Sequence, residues 1–370
     1  MKILPLAALI TAFCTWTGSA AVQVEDIPEG GVQPQVAIAA DGTVHLVYLK
    51  GEPKASEVRW TWRKPGAAWQ PSQTVNTLPG SAVAMGTIRG PQLALGAAGA
   101  LHVVWNGAGD AHSPRSPLWY ASKAADAKAF GPQRDLLGGT TALDGGASVA
   151  ADGKGRVLVA WHGNEGGGEP EESQRLVFVV SSADEGRSFG KPEAVNRAAP
   201  GVCACCSLAV TLDPDGDASV FFRSAESADH RAMTLLSNKS SGWKSREIEP
   251  WKIMACPMSS ATVMPWNSKL FGAWETAGKI RAGWISEQDP KFITIAAKTA
   301  KHPVAVANPQ GRVLVAWVEG TGWNQGGMAA WQEFDAQLQP VNAGGRVPGV
   351  PAWGRVAAYA GQNGDFVVLR

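Results

Sequence analysis

PQVAIAADGTVHLVYL, residues 34–49, is two short apolar runs hinged on an Asp-Gly turn, the second ending on an aromatic side chain. The pattern recurs as PQLALGAAGALHVVW (91–105), ASVAADGKGRVLVAW (147–161), SLAVTLDPDGDASVFF (207–222), ATVMPWNSKLFGAW (261–274), PVAVANPQGRVLVAW (303–317) and GRVAAYAGQNGDFVVL (354–369). Short apolar runs bounded by Gly and Asp turns read as strands joined in hairpins. A period of about fifty residues built from such hairpins predicts a β-propeller, all-β and closed on itself as a single domain. Seven hairpins favour seven blades.

The 370 residues carry 33 Lys and Arg against 32 Asp and Glu, a net charge of +1, so nothing attracts nucleic acid or an anionic membrane over long range. Charged residues are only 18%, while Gly 43, Pro 24 and Trp 16 stand out, as expected of a turn-rich fold with many buried aromatics. No linker, low-complexity tract or charge block divides the repeats. The first twenty residues read as a signal peptide. Met1 and Lys2 give the positive end, Ile3 to Phe13 the apolar core, and Gly18-Ser19-Ala20 a small-residue cleavage site. That core is too short for a membrane span, and Phe13 before Cys14 argues against a lipid-modified cysteine. The expectation is a periplasmic or extracellular monomer of residues 21–370.

After each of the first six hairpins comes a second pair of strand-like runs, clearest in RLVFVVSSADEGRSFGKPEAVN (175–196). Within it Ser182-Ala183-Asp184-Glu185-Gly186-Arg187-Ser188-Phe189 matches S-x-D-x-G-x-x-W/F. Asp bonds backbone two residues on, Gly takes positive φ, and the aromatic plugs the gap between sheets. Worn versions stand at 62–69, 122–130 and 237–243. On these residues the chain resembles the sialidase superfamily of Asp-box (BNR-repeat) β-propellers over nearly all of residues 21–370. That family typically has six blades, so the resemblance leaves six against seven open. The last hairpin lacks outer strands, and Val22 to Ile27 are expected to complete it, removing a free sheet edge.

The residue just past each second strand differs from repeat to repeat: Lys50, Asn106, His162, Arg223, Glu275 and Glu319. The loops inbound to the first strands open on the same face and carry Arg89, Asp144, three of the cysteines, Met258 and His302. Polar groups of both signs on one face suit a glycan or small-molecule ligand, with Trp323 placed to stack on a sugar. The bland alternative is ordinary solvated loop chemistry. Binding is expected from Arg89, Asn106, Asp144, His302 and Trp323. Any chemistry is expected from Arg223, Arg231, His162, Glu275 and Glu319. Glycines at 145–146, 163, 166–168 and 326–327 are expected to let backbone approach the ligand. The resemblance implies exo-α-sialidase chemistry, which needs three arginines (Arg89, Arg223, Arg231 and Arg281 are available), a Tyr nucleophile with a Glu partner, and an Asp acid/base. The three tyrosines, Tyr48, Tyr120 and Tyr359, lie in no such context. A glycoside hydrolase built on the Glu275 and Glu319 pair and a non-catalytic binding propeller stand as the alternatives.

Beyond residue 21 the cysteines are Cys203, Cys205, Cys206 and Cys256. They precede neighbouring hairpins, so all four sulfurs can gather. In an exported protein two disulfides are the default. Cys205 or Cys206 is expected to pair with Cys256, and the other two with each other. The alternatives are redox chemistry or a Cu(I) site of these sulfurs with Met254, Met258 and the imidazoles of His162, His230 and His302. No Cys-x-x-Cys zinc spacing is present. No cofactor is expected, and copper at this cluster is the alternative.

Overall fold

A computed structural model describes residues 22–108, 116–141, 143–166, 171–197, 200–213, 215–239, 242–286, 288–295 and 298–370. The expected signal peptide lies outside the described residues. Seven sheets are arranged in chain order about one axis, which settles the blade number at seven. Blade 1 runs from its inner strand Val32–Ile38 through Val44–Glu52 and Ala55–Arg63 to the short outer strand Gln73–Thr74, every pair antiparallel. The inner and second strands of the next five blades are Gln92–Leu95 with Leu101–Asn106, Ser148–Ala151 with Val157–Gly163, Ala209–Leu212 with Ala218–Ala225, Thr262–Trp266 with Lys269–Thr276, and Ala300–Ala307 with Val313–Glu319. Blade 7 has only Ala357–Ala360 and Phe366–Leu369 from its own end of the chain. Gln23–Glu25 adds to it in parallel, Gln23 opposite Val367, so the expected closure by the N-terminal run is found. No helix among the described residues is long and apolar enough to cross a membrane.

The aromatic near the end of the second strand in six of the seven blades is the wedge between blades. Tyr48, Trp105, Trp161, Phe222, Trp274 and Trp317 are each 4% exposed or less. Trp105 packs on Val47 and Leu49 of blade 1, Trp161 on Val104 and Tyr120 of blade 2, and Trp317 on Phe271 and Ala273 of blade 5. Each such ring removes about 150–250 Å² from water, worth roughly 4–6 kcal/mol before ordering costs. The repetition of this one residue therefore holds the ring closed.

The turn at 182–189 makes the bonds its residue types allow. Ser182 Oγ donates to Asp184 Oδ1 at 2.7 Å and accepts from Gly186 N at 2.9 Å, while Asp184 accepts from Ser188 N at 2.9 Å and Ser188 Oγ at 2.6 Å. Those donors hold the Asp184 carboxyl well below the usual carboxylate range. Gly186 sits at φ 68°, where a Cβ would come within 1.7 Å of Tyr120 Oη. Phe189 meets Tyr120 edge-on at 4.9 Å. His102 is fully buried between Tyr120 Oη (2.7 Å) and Glu185 Oε2 (3.0 Å), so the turn of blade 3 is bonded to the second strand of blade 2.

Candidate functional site

Most of the polar ring turns sideways rather than toward the axis. Asn106, 2% exposed, donates through Nδ2 to Gly145 O (3.0 Å) and accepts at Oδ1 from Ala147 N (3.3 Å), which ties blade 2 to the inbound loop of blade 3. His162, with no exposed surface, donates through Nε2 to Cys206 O at 3.1 Å and so ties blade 3 to blade 4. Burial and the nearby Arg175 push its imidazole down to about 4. Arg223 donates to Glu275 O, lies 4.9 Å from the Trp251 ring centre and ties blade 4 to blade 5. These residues differ because each next blade offers a different partner. Lys50 donates to Glu29 O, Arg231 pairs with Glu172, and Arg281 with Glu249 at 2.8 Å.

The two carboxylates of the expected pair have separate partners. Glu275 is 2% exposed, with Oε1 accepting from Gly278 N at 2.7 Å and Oε2 buried without a partner. Burial raises its pKa above the ordinary glutamate value, which suits a general acid. Its side chain is nevertheless almost wholly buried. Glu319 accepts from Trp317 Nε1 at 2.9 Å and lies 3.8 Å from Arg346, both on its own blade. The tyrosines are buried among blade cores. Of the glycines expected to admit a ligand, Gly167 and Gly168 lie outside the described residues, and Gly145, Gly146, Gly163, Gly326 and Gly327 instead admit protein. A Cβ on Gly145 would stand 2.1 Å from Cys206 O, one on Gly146 1.9 Å from Ile88 O, and one on Gly326 2.3 Å from Val350 O.

Open on this face among the described residues is a small mouth lined by Gly86, Thr87, Met258, Lys301, His302, Thr321, Gly322, Trp323 and Trp353. Trp323 is 63% exposed and reaches to 4.0 Å of the space beside Gly86 on the far side of the ring. Thr87, Met258, His302 and Trp353 all hold left-handed backbone, φ 66°, 45°, 54° and 55°. Strain of this kind costs about 1–3 kcal/mol per residue and collects at ligand sites. Arg89 lies against Gly86 and pairs with Asp144, so these two expected residues do meet. His302, 3% exposed, bonds through Nδ1 to Ser260 Oγ at 3.3 Å. Burial, Arg355 and Lys301 push its imidazole down to about 3.

Below the mouth the inner strands enclose a channel of about 140 Å³ lined by Gln35, Gln92, Ser207, Ser260, Thr262 and Arg355. Arg355 is 7% exposed and has no carboxylate partner among the described residues. Desolvation alone lowers its guanidinium to about 10. Sequence reasoning missed Arg355. Its signal was a lone cation at the head of the apolar run of blade 7, where no other repeat has one.

The cysteines converge as expected but pair only once. Cys205 is joined to Cys256, whereas Cys203 and Cys206 remain thiols. The second disulfide is therefore absent from this arrangement. Met258 packs on the group, Met254 is 79% exposed, and His230 is engaged with Glu247 at 3.0 Å. A larger groove of about 800 Å³ lies on the opposite face between blades 4 and 5. Its charged residues serve local structure: Asp213 caps its own turn, and Arg246 bonds the carbonyls of Ile285 and Gln288.

No protein-family model and no curated protein matches the chain. Among solved structures, an α-L-arabinanase of Penicillium chrysogenum complexed with arabinobiose is similar at TM-score 0.54 and 12% identity, over 85% of this chain and 95% of that one. An α-L-arabinofuranosidase of Fusarium graminearum, also with arabinobiose, is similar at TM-score 0.53 and 11% identity, over 80% and 92%. A Hadza microbial sialidase follows at TM-score 0.51 and 13% identity, over 78% of this chain and 63% of that one, so the chain spans less than two thirds of its length. At these identities the likeness is one of fold: the chain is a β-propeller of seven blades.

Proposed function

We propose that the axial mouth binds a glycan carrying a carboxylate, laid across Trp323, and that it does so without cleaving it by the retaining Tyr–Glu route. The observation that carries this reading is the exposed indole of Trp323 beside Trp353, above an arginine that lacks an acidic partner. Exposed tryptophan faces stack on sugar rings, and Lys301 and Arg355 supply positive potential for an acidic group. The mouth encloses only about 60 Å³, against roughly 300–1,000 Å³ for pockets that bury a small ligand. A sugar would therefore rest on the face with one substituent inserted. Two of the similar folds were solved with arabinobiose, which supports a saccharide as the ligand class.

The test is a glycan array with the purified chain, followed by calorimetry on the best acidic oligosaccharide with wild type and Trp323→Ala. Loss of about 1–3 kcal/mol of affinity in the variant is expected for a stacked ring, by analogy with base stacking. Unchanged affinity in the variant, or turnover of a fluorogenic sialoside by the wild type, overturns the reading.

A further inference from the structure

We propose that Cys203, Cys206 and Met258 form a binding site for one Cu(I) ion, next to the Cys205–Cys256 disulfide. This goes beyond the glycan reading and does not depend on it. The sulfurs of Cys203, Cys205 and Cys206 lie within 4.8 Å of one another, and these residues are 0%, 9% and 3% exposed. The partly buried side chain of Met258 packs against them and brings a thioether to the group. The disulfide takes Cys205 out of the donor set and fastens the two loops together, leaving two thiols and a thioether gathered in one buried place.

The scaffold around the sulfurs is fixed from several sides. Cys203 N donates to Arg223 O at 3.0 Å, Cys206 N to Cys203 O at 3.4 Å, and Ser207 N to Ser259 O at 3.2 Å. The Cys-Ala-Cys-Cys turn of blade 4 is thus bound to the segment of blade 5 that presents Met258. Met258 holds φ 45° there, a conformation that a side-chain-bearing residue rarely adopts. The same residue lines the axial mouth, which gives an ion a route to sulfurs otherwise enclosed.

The donor set selects the metal. Two thiolates and a thioether are soft and number three, which suits Cu(I), whereas structural Zn²⁺ takes four donors. Most groups that could supply a fourth are committed elsewhere, although His162 Nδ1 is buried without a partner among the described residues. His162 Nε2 is given to Cys206 O, His302 Nδ1 to Ser260, and the Glu172 carboxylate to Ala204 N and Arg231. Binding releases the two thiol protons and changes no oxidation state. It leaves a site of net charge −1 beside Arg223, whose guanidinium acts on Cys206.

The experiment uses the full chain, with the disulfide intact and two thiols confirmed by titration after denaturation. Cu(I) is added without oxygen in competition with bicinchoninate, and X-ray absorption reads the donor atoms. One equivalent bound through sulfur alone is expected. Cys203→Ser and Cys206→Ser should each weaken binding on the order of 100-fold, and Met258→Leu about 10-fold. Trp323→Ala, the variant that tests glycan binding, should leave copper affinity unchanged. The proposal is overturned if the wild type with two free thiols yields all its copper to the chelator. It is equally overturned if Zn(II) displaces Cu(I), if both cysteine variants bind as wild type does, or if the two thiols prove to be joined. Because Met258→Leu conserves volume, wild-type affinity in that variant removes the thioether from the site even if a cysteine variant fails to fold.

Discussion

His302 should make the fold lose about 2 kcal/mol between pH 7.5 and pH 5, as worked from its pKa of about 3 against 6.5 in the unfolded chain. The buried ring refuses a proton until the pH approaches 3, because water is excluded and the Arg355 and Lys301 charges oppose a third cation. The unfolded chain takes that proton from pH 6.5 downward. The unfolded state therefore binds more protons throughout the window from 6.5 to 3, and stability falls as pH falls. The slope is about 1.4 kcal/mol per pH unit, and pH 5 lies roughly 1.5 units into the window. Urea unfolding followed by tryptophan fluorescence at the two pH values gives the wild-type loss. His302→Gln can retain a bond to Ser260 Oγ and has nothing to titrate, so its loss should be smaller by about 2 kcal/mol. An equal loss in wild type and variant, or a His302 ring titrating near 6 in NMR, would refute the reasoning.

Gly186→Ala should destabilise by at least about 2 kcal/mol in a urea titration, since φ 68° strains it and its Cβ would overlap Tyr120 Oη. Asn106→Ala leaves the buried Ala147 N–H unpaired and frees two carbonyls of the blade 3 loop, so a loss of about 1–3 kcal/mol is expected by the same method. Trp161→Ala should cost about 3–5 kcal/mol by opening a cavity between blades 2 and 3. Removing residues 22–27 should expose the edge of Phe366–Leu369 and produce concentration-dependent association in sedimentation, whereas Gln23→Ala should not.

The hairpins were legible because one demand recurs seven times: an aromatic or large apolar group must wedge each pair of neighbouring sheets. Trp105, Trp161 and Trp317 meet that demand at equivalent places, so position along the repeat could be read directly. Direction around the repeat could not. Asn106, His162 and Arg223 follow their wedges in sequence as expected, yet each turns to the next blade, because a carbonyl or loop amide is waiting there. The glycines misled for a related reason: Gly145 and Gly146 do permit close approach, but of the adjacent blade's backbone. Arg355 escaped notice because its one local sign, a cation at the head of the blade 7 run, gains meaning only once ring closure defines the axis. The cysteine cluster was legible as a gathering with a bridge to Cys256; that Cys205 makes it and that Cys203 and Cys206 stay thiols was not, since connectivity depends on which sulfurs face one another.

The pairing of Gln23–Glu25 with Phe366–Leu369 also sets an order of events in biosynthesis. The earliest strand of the ring cannot find its partner until the last has emerged. Up to then the growing chain is an open arc with an unpaired edge at each end, at risk of joining another copy. Closure is thus a single late contact of the longest sequence separation in the fold, slow by its topology. The passage from arc to ring is the step at which a helper protein would have most effect on the yield of this chain.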